Sequence, residues 1–182
     1  MTRQENNNFK FHHIREPIGY FYKNVDEIDC NYWSDICYDY KKINNNKTNR
    51  SGAYGYQSPN DLHTHTEFIP LVNLLIKQIN STTTCFNNKI HGMWLNISPK
   101  GAFNRPHTHK VETYNKSYSG VLYLKVPSNS GDIVFMDPLQ LNHYKKVNVK
   151  QKDILLFNDI IPHYVEPNQS NEDRISIAFN YV

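Results

Sequence analysis

The chain has 182 residues and a formal net charge of +3, with 20 Lys and Arg against 17 Asp and Glu. That length suits one domain with a real core, and mixed charges without a dense basic block call for neither a nucleic acid nor an anionic membrane. No apolar stretch behind a basic start forms a secretory signal, no apolar run approaches the roughly 18 residues that span a bilayer, and Cys30, Cys37 and Cys85 lie at spacings unlike a zinc site; the expectation is a cytoplasmic protein with reduced thiols.

Residues 1–17 are polar and read as a loose N-terminal segment. Ile18 to Lys23 is β-branched and aromatic, which predicts a short strand. From Val25 to Lys42, the positions Ile28, Trp33, Ile36, Cys37 and Tyr40 recur at helical spacing. Cys30 and Cys37 lie on that helix as packing residues. An Asn-rich loop follows to Gly52. Leu62, Phe68, Leu71, Val72, Leu75, Ile76 and Ile79 then mark a second amphipathic helix, with Asn60 or Thr66 as its cap.

After about residue 89 the period changes to two. Strands are predicted over 89–98, 103–109, 118–126, 132–136, 145–149, 153–157, 164–166 and 175–182, separated by Gly, Pro, Asn and Asp turns. The fold expected is mostly β (α+β), a jelly roll over 89–182 with helical support from 18–88, in a single domain spanning 1–182.

The chemistry is concentrated in His107-Thr-His109, in His163 after Pro162, and in Arg174-Ile-Ser176. Neutral imidazole is the commonest side-chain ligand for transition metals. Two at i and i+2 on an extended strand point the same way. A third from a neighbouring strand closes one face of an octahedral ion, leaving the opposite face open for a cosubstrate, a substrate and O₂; that points to a non-haem iron oxygenase. Pro106 cannot donate to a ladder, so its strand is expected at an edge or opening. Arg174 sits beside an apolar run (Ile175, Ile177, Ala178, Phe179), where an inward guanidinium needs an anion; alone, it would read as a surface ion pair with Glu172 or Asp173. His63-Thr-His65 has no downstream partner and, with His12, His13, His91 and His143, is read as structural or solvent-exposed.

On these residues the sequence resembles the iron- and 2-oxoglutarate-dependent oxygenases of the double-stranded β-helix type, in particular a prolyl-hydroxylase-like branch found in bacteria and phages. The similarity is carried by Trp94-Leu-Asn96, Gly101 to His109, Ser119 to Leu124, Ser130 to Pro138, Phe157, Pro162-His163 and Arg174 to Asn180, with Gly55 to Ser58 upstream. It implies Fe(II) held by His107 and His163, and 2-oxoglutarate held at its distal carboxylate by Arg174 with Tyr123 and Ser176. It further implies hydroxylation of a small-molecule or peptide substrate by O₂ as 2-oxoglutarate is decarboxylated to succinate. Asn96 and Asn104 would sit close by. A phage-encoded protein would work in the host cytoplasm.

One position departs from the family's pattern: the usual carboxylate of the middle ligand is here His109, which leaves a bound ion one charge more positive. Glu112 could substitute from a flexible turn. Two other readings remain. A cupin would use His107, His109, Glu112 and His163 and would give Arg174 no task. A jelly-roll binding module without catalysis would carry a degenerate metal site. The segments 44–57 and 109–119 are expected to line the pocket mouth. The substrate and the oligomeric state are not encoded legibly.

Overall fold

The computed structural model describes residues 10–15, 18–48, 50–80, 89–109, 117–137, 139–140, 142 and 144–182. Two antiparallel sheets face each other. The larger runs in the order β1 (Lys10–Arg15), β2 (Ile18–Asn24), β10 (Asp153–Asn158), β7 (Tyr118–Lys125), β12 (Arg174–Tyr181), β5 (Ile90–Ser98) and β4 (Tyr56–Gln57). The smaller runs β3 (Gly52–Ala53), β6 (Phe103–His107), β11 (His163–Val165), β8 (Ile133–Met136) and β9 (Tyr144–Val147). This is the expected jelly roll.

The two-residue period of β12 divides its side chains between two environments. Ile175, Ile177, Phe179 and Tyr181 are fully buried against the helix layer, in one cluster with Trp33, Cys37, Phe68 and Leu75. Each such side chain contributes about 2 kcal/mol by leaving water. Arg174, Ser176, Ala178 and Asn180 therefore face the other way, between the sheets. There a second cluster gathers Tyr20, Tyr123, Phe135, Phe157 and Ile161, and Tyr20 stacks on Phe135 with centroids 5.2 Å apart.

Helix α1 (Cys30–Ile43) starts later than its periodicity suggests. The Asp29 side chain accepts the Tyr32 backbone N–H at 3.0 Å and sets the first turn. Cys30 and Cys37 are buried free thiols, and burial pushes the Cys37 thiol up; Cys85 lies outside the described residues. Helix α2 (Ile69–Asn80) also starts later than expected, after two short 3₁₀ turns, Leu62–Thr64 and Thr66–Phe68. Neither Asn60 nor Thr66 caps it. Pro70 sits in its first turn, where a missing N–H costs nothing.

The N-terminal reading needs correction. Residues 10–15 are not loose: β1 pairs with β2 along Lys10↔Tyr22 to Arg15↔Ile18. Cross-strand aromatics hold it, His12 on Tyr20 at 5.2 Å and Phe11 on Phe21 at 4.8 Å. His12 and His13 are exposed, as expected. Next to them, buried Asp153 accepts the Tyr22 hydroxyl and the Asn24 amide, each at 2.8 Å, fixing β2 against β10. Among the described residues no helix is long and apolar enough to cross a membrane.

Candidate metal centre

β6 and β11 are neighbours, and His107 and His163 are direct partners across them. β3 pairs with β6 at Phe103 and Asn104, so Pro106 lies beyond that pairing among the described residues, consistent with its missing N–H. The strand ends at His107, two residues short of the expected limit. His109 is placed instead by its backbone N–H, which donates to the Asp159 carbonyl at 2.9 Å, and by Trp94, stacked on its ring at 5.0 Å and 28°.

The three rings converge. Centroid separations are 4.3 Å for His107–His163, 4.8 Å for His107–His109 and 5.0 Å for His109–His163, and one ligand nitrogen from each lies within 4.8 Å of the others. His107 Nδ1 is 2.6 Å from the Arg105 carbonyl and His163 Nδ1 is 3.0 Å from the Ile161 carbonyl. A carbonyl can only accept, so Nδ1 carries the proton and each neutral ring is left with a bare lone pair on Nε2. His109 Nε2 is buried without a hydrogen-bond partner. A metal ion would satisfy that orphaned atom, so the donor set fits one.

Electrostatics favour the neutral, metal-ready form of all three. Desolvation lowers His107. It lowers His163 well below the usual histidine range, with the His107 and His109 charges adding to the effect. Desolvation is also the main cause for His109, pushed down to about 3, where His107 and Arg50 add to the shift and Asn180 opposes it.

Arg174 enters the same interior from β12 and is 3 % exposed. Its Nη1 donates to the carbonyls of Ser130 and Gly131, at 2.7 and 3.0 Å. The expected surface partners are engaged elsewhere: Glu172 pairs with Lys125 at 3.0 Å, and Asp173 accepts the Tyr38 hydroxyl at 3.0 Å. Among the described residues no carboxylate forms an ion pair with Arg174; burial lowers its pKa, opposed by Tyr123 and by the Asp132 carboxylate further off. Tyr123 is 3 % exposed, faces Ser176 across β7 and β12, and has its pKa raised by desolvation. Gly131 positions the arginine's acceptors: its φ is +84°, and a Cβ there would collide with the Glu166 carbonyl.

Tyr123, Ser176, Asn96 and Asn104 line the inner pocket with the histidines and Arg174. Glu112 and most of the 109–119 segment lie outside the described residues. Thr48, Arg50, Ser51 and Gln57 line the mouth, as expected of the 44–57 segment. His63 and His65 sit at the 3₁₀ turns beside α2 and form no metal cluster among the described residues. Asn180, which opposes the shift on His109, was not anticipated as a site residue. Its signal was present: it shares the two-residue period of Arg174 and Ser176.

The model of a family described as "Putative 2OG-Fe(II) oxygenase" matches residues 137–180, which include His163 and Arg174 but not His107 or His109. No curated protein matches the sequence. A prolyl-4-hydroxylase from Pseudomonas putida superposes with a TM-score of 0.62 at 15% identity, over 91% of this chain and 92% of that one. A viral collagen prolyl hydroxylase from Paramecium bursaria Chlorella virus-1, in complex with 2-oxoglutarate, gives 0.60 at 15%, over 90% and 96%. HygX from Streptomyces hygroscopicus, with nickel and 2-oxoglutarate bound, gives 0.66 at 12%, over 100% and 87%. The resemblance read from the sequence therefore stands: in fold across the chain, and by family match over its C-terminal part, this protein is similar to the 2-oxoglutarate- and iron-dependent oxygenases.

Proposed function

We propose that the chain is a single-domain, cytoplasmic Fe(II)- and 2-oxoglutarate-dependent oxygenase that hydroxylates a small-molecule or peptide substrate. His107, His109 and His163 hold the metal as an all-histidine face. Arg174 receives the distal carboxylate of 2-oxoglutarate, with Tyr123 and Ser176 as hydroxyl partners, and Asn96 and Asn104 border the same space. The bound metal and cosubstrate supply the oxidising chemistry. The chain's own part is orientation and exclusion of water. The carbonyls of Arg105 and Ile161 fix two ring tautomers, Trp94 braces the third ring, and the carbonyls of Ser130 and Gly131 aim the guanidinium.

The observation that carries this reading is a buried arginine without a carboxylate partner among the described residues, in one pocket with three converging imidazoles. A dicarboxylate bridging the two ends accounts for both features. A cupin would leave Arg174 buried to no purpose. The test is release of succinate from 2-oxoglutarate by the purified protein with Fe(II) and O₂, alongside a thermal shift with Mn(II) and N-oxalylglycine. Absence of both removes the oxygenase reading and favours a binding module.

A further inference from the structure

The mouth of the histidine pocket carries charge that metal and cosubstrate binding do not use. It is a cleft of about 650 Å³, within the range of small-molecule sites. Arg50 and Arg105 line it together with the amides of Gln57, Asn60 and Asn180, and no carboxylate among the described residues does. Both guanidiniums belong to exposed residues, and among the described residues neither has an ion-pair partner. They stand on one rim. The Arg105 backbone N–H donates to the Ser51 carbonyl at 2.9 Å, the Arg50 backbone N–H to Gln57 Oε1 at 3.3 Å, and Asn104 Nδ2 to Ser51 Oγ at 3.1 Å. The two arginines are therefore held by their backbone N–H groups beside the β3–β6 pair, and none of these bonds uses a guanidinium.

Two cations with no ion-pair partner among the described residues, on the wall of a cleft, focus a positive field on whatever enters. Planar guanidiniums match carboxylate and phosphate oxygens in geometry as well as charge. We propose that the primary substrate is a small molecule with a carboxylate or phosphate group, which docks against Arg50 and Arg105 while the rest of it reaches inward past Trp94 to the histidines. Describing the ligand as a substrate rests on the oxygenase reading; the anion site itself does not.

The test uses the full chain loaded with Zn(II) and saturating N-oxalylglycine, so that the Arg174 slot is filled. Ligand-observed NMR titrations compare the common N-acetyl amino acids as free acids and as primary amides, and common sugars with and without a phosphate. At least one anionic series should bind about tenfold tighter than its neutral counterpart, the size expected of a charge-assisted contact; whichever series prevails names the group. The double variant Arg50→Gln/Arg105→Gln, which keeps the Arg105 backbone carbonyl that holds His107 Nδ1, should abolish that preference while the protein still gives a thermal shift with Zn(II) and N-oxalylglycine. Equal binding of acids and amides, no binding of any anion, or a preference that survives in the double variant overturns the proposal. An anion preference that the double variant abolishes, without any Zn(II) and N-oxalylglycine shift in the parent protein, keeps the anion site and sinks the oxygenase reading instead.

Discussion

His107 and His163 face each other across the β6–β11 pair, and each donates Nδ1–H to the carbonyl two residues before it. Paired strands thus present two Nε2 lone pairs from a backbone-fixed frame, with His109 brought in from the loop that follows. Replacing either strand histidine with alanine should abolish metal binding, read by Mn(II) titration with electron paramagnetic resonance. His109→Asp should keep the site and bind Mn(II) about tenfold tighter, because a carboxylate suits this hard ion better than imidazole. A complete loss in His109→Asp would mean the third ligand position cannot be shortened.

Arg174→Ala should weaken N-oxalylglycine binding by about a hundredfold and leave Mn(II) affinity within about twofold, since a buried charge-assisted pair is lost while the imidazoles are untouched. Lys at this position should restore only part of the affinity, for it lacks the planar fork. Isothermal titration of each ligand in turn checks the split, and equal loss of both would make Arg174 structural.

Gly131→Ala combines a left-handed φ with a collision against the Glu166 carbonyl. It should cost about 2 kcal/mol of stability in urea denaturation. Because the Gly131 carbonyl is one of two acceptors for Arg174, the variant should also bind N-oxalylglycine more weakly at temperatures where it remains folded.

Burial of His109 and His163 as neutral rings gives the metal-free protein a signed pH dependence. Their folded pKa values lie below the unfolded value of about 6.5. The unfolded chain therefore takes up protons that the folded chain refuses, and stability present above that pH is lost as pH falls below it. Each ring contributes a slope of up to about 1.4 kcal/mol per pH unit. Chemical denaturation between pH 7 and 5 should show a shallower loss in His163→Ala than in the parent protein.

The eight strands after residue 89 were legible because runs of β-branched, aromatic and other apolar residues recur between Gly, Pro, Asn and Asp turns, some alternating and some, such as Ile133–Met136, apolar throughout. β3 and β4 were not, since two residues carry no period and owe their pairing to β6 and β5. β1 was hidden for a related reason: a polar segment became a strand through aromatic contacts with β2 that no local pattern encodes. His107, His163 and Arg174 could be read from motif and order. The orientation of His109 could not, because it lies past the end of β6 and depends on a loop carbonyl and on Trp94. Arg50 and Arg105 were not legible as a pair because only the fold brings two charges so far apart in sequence to one rim.

The chain has two tryptophans, and the fold separates them. Trp33 is packed in the helix layer, while Trp94 lies flat on a candidate ligand ring. The protein thus contains its own optical reporter: a paramagnetic ion arriving beside His109 would quench the indole of Trp94 and leave that of Trp33 shining, so occupancy could be followed by emission without attaching a dye.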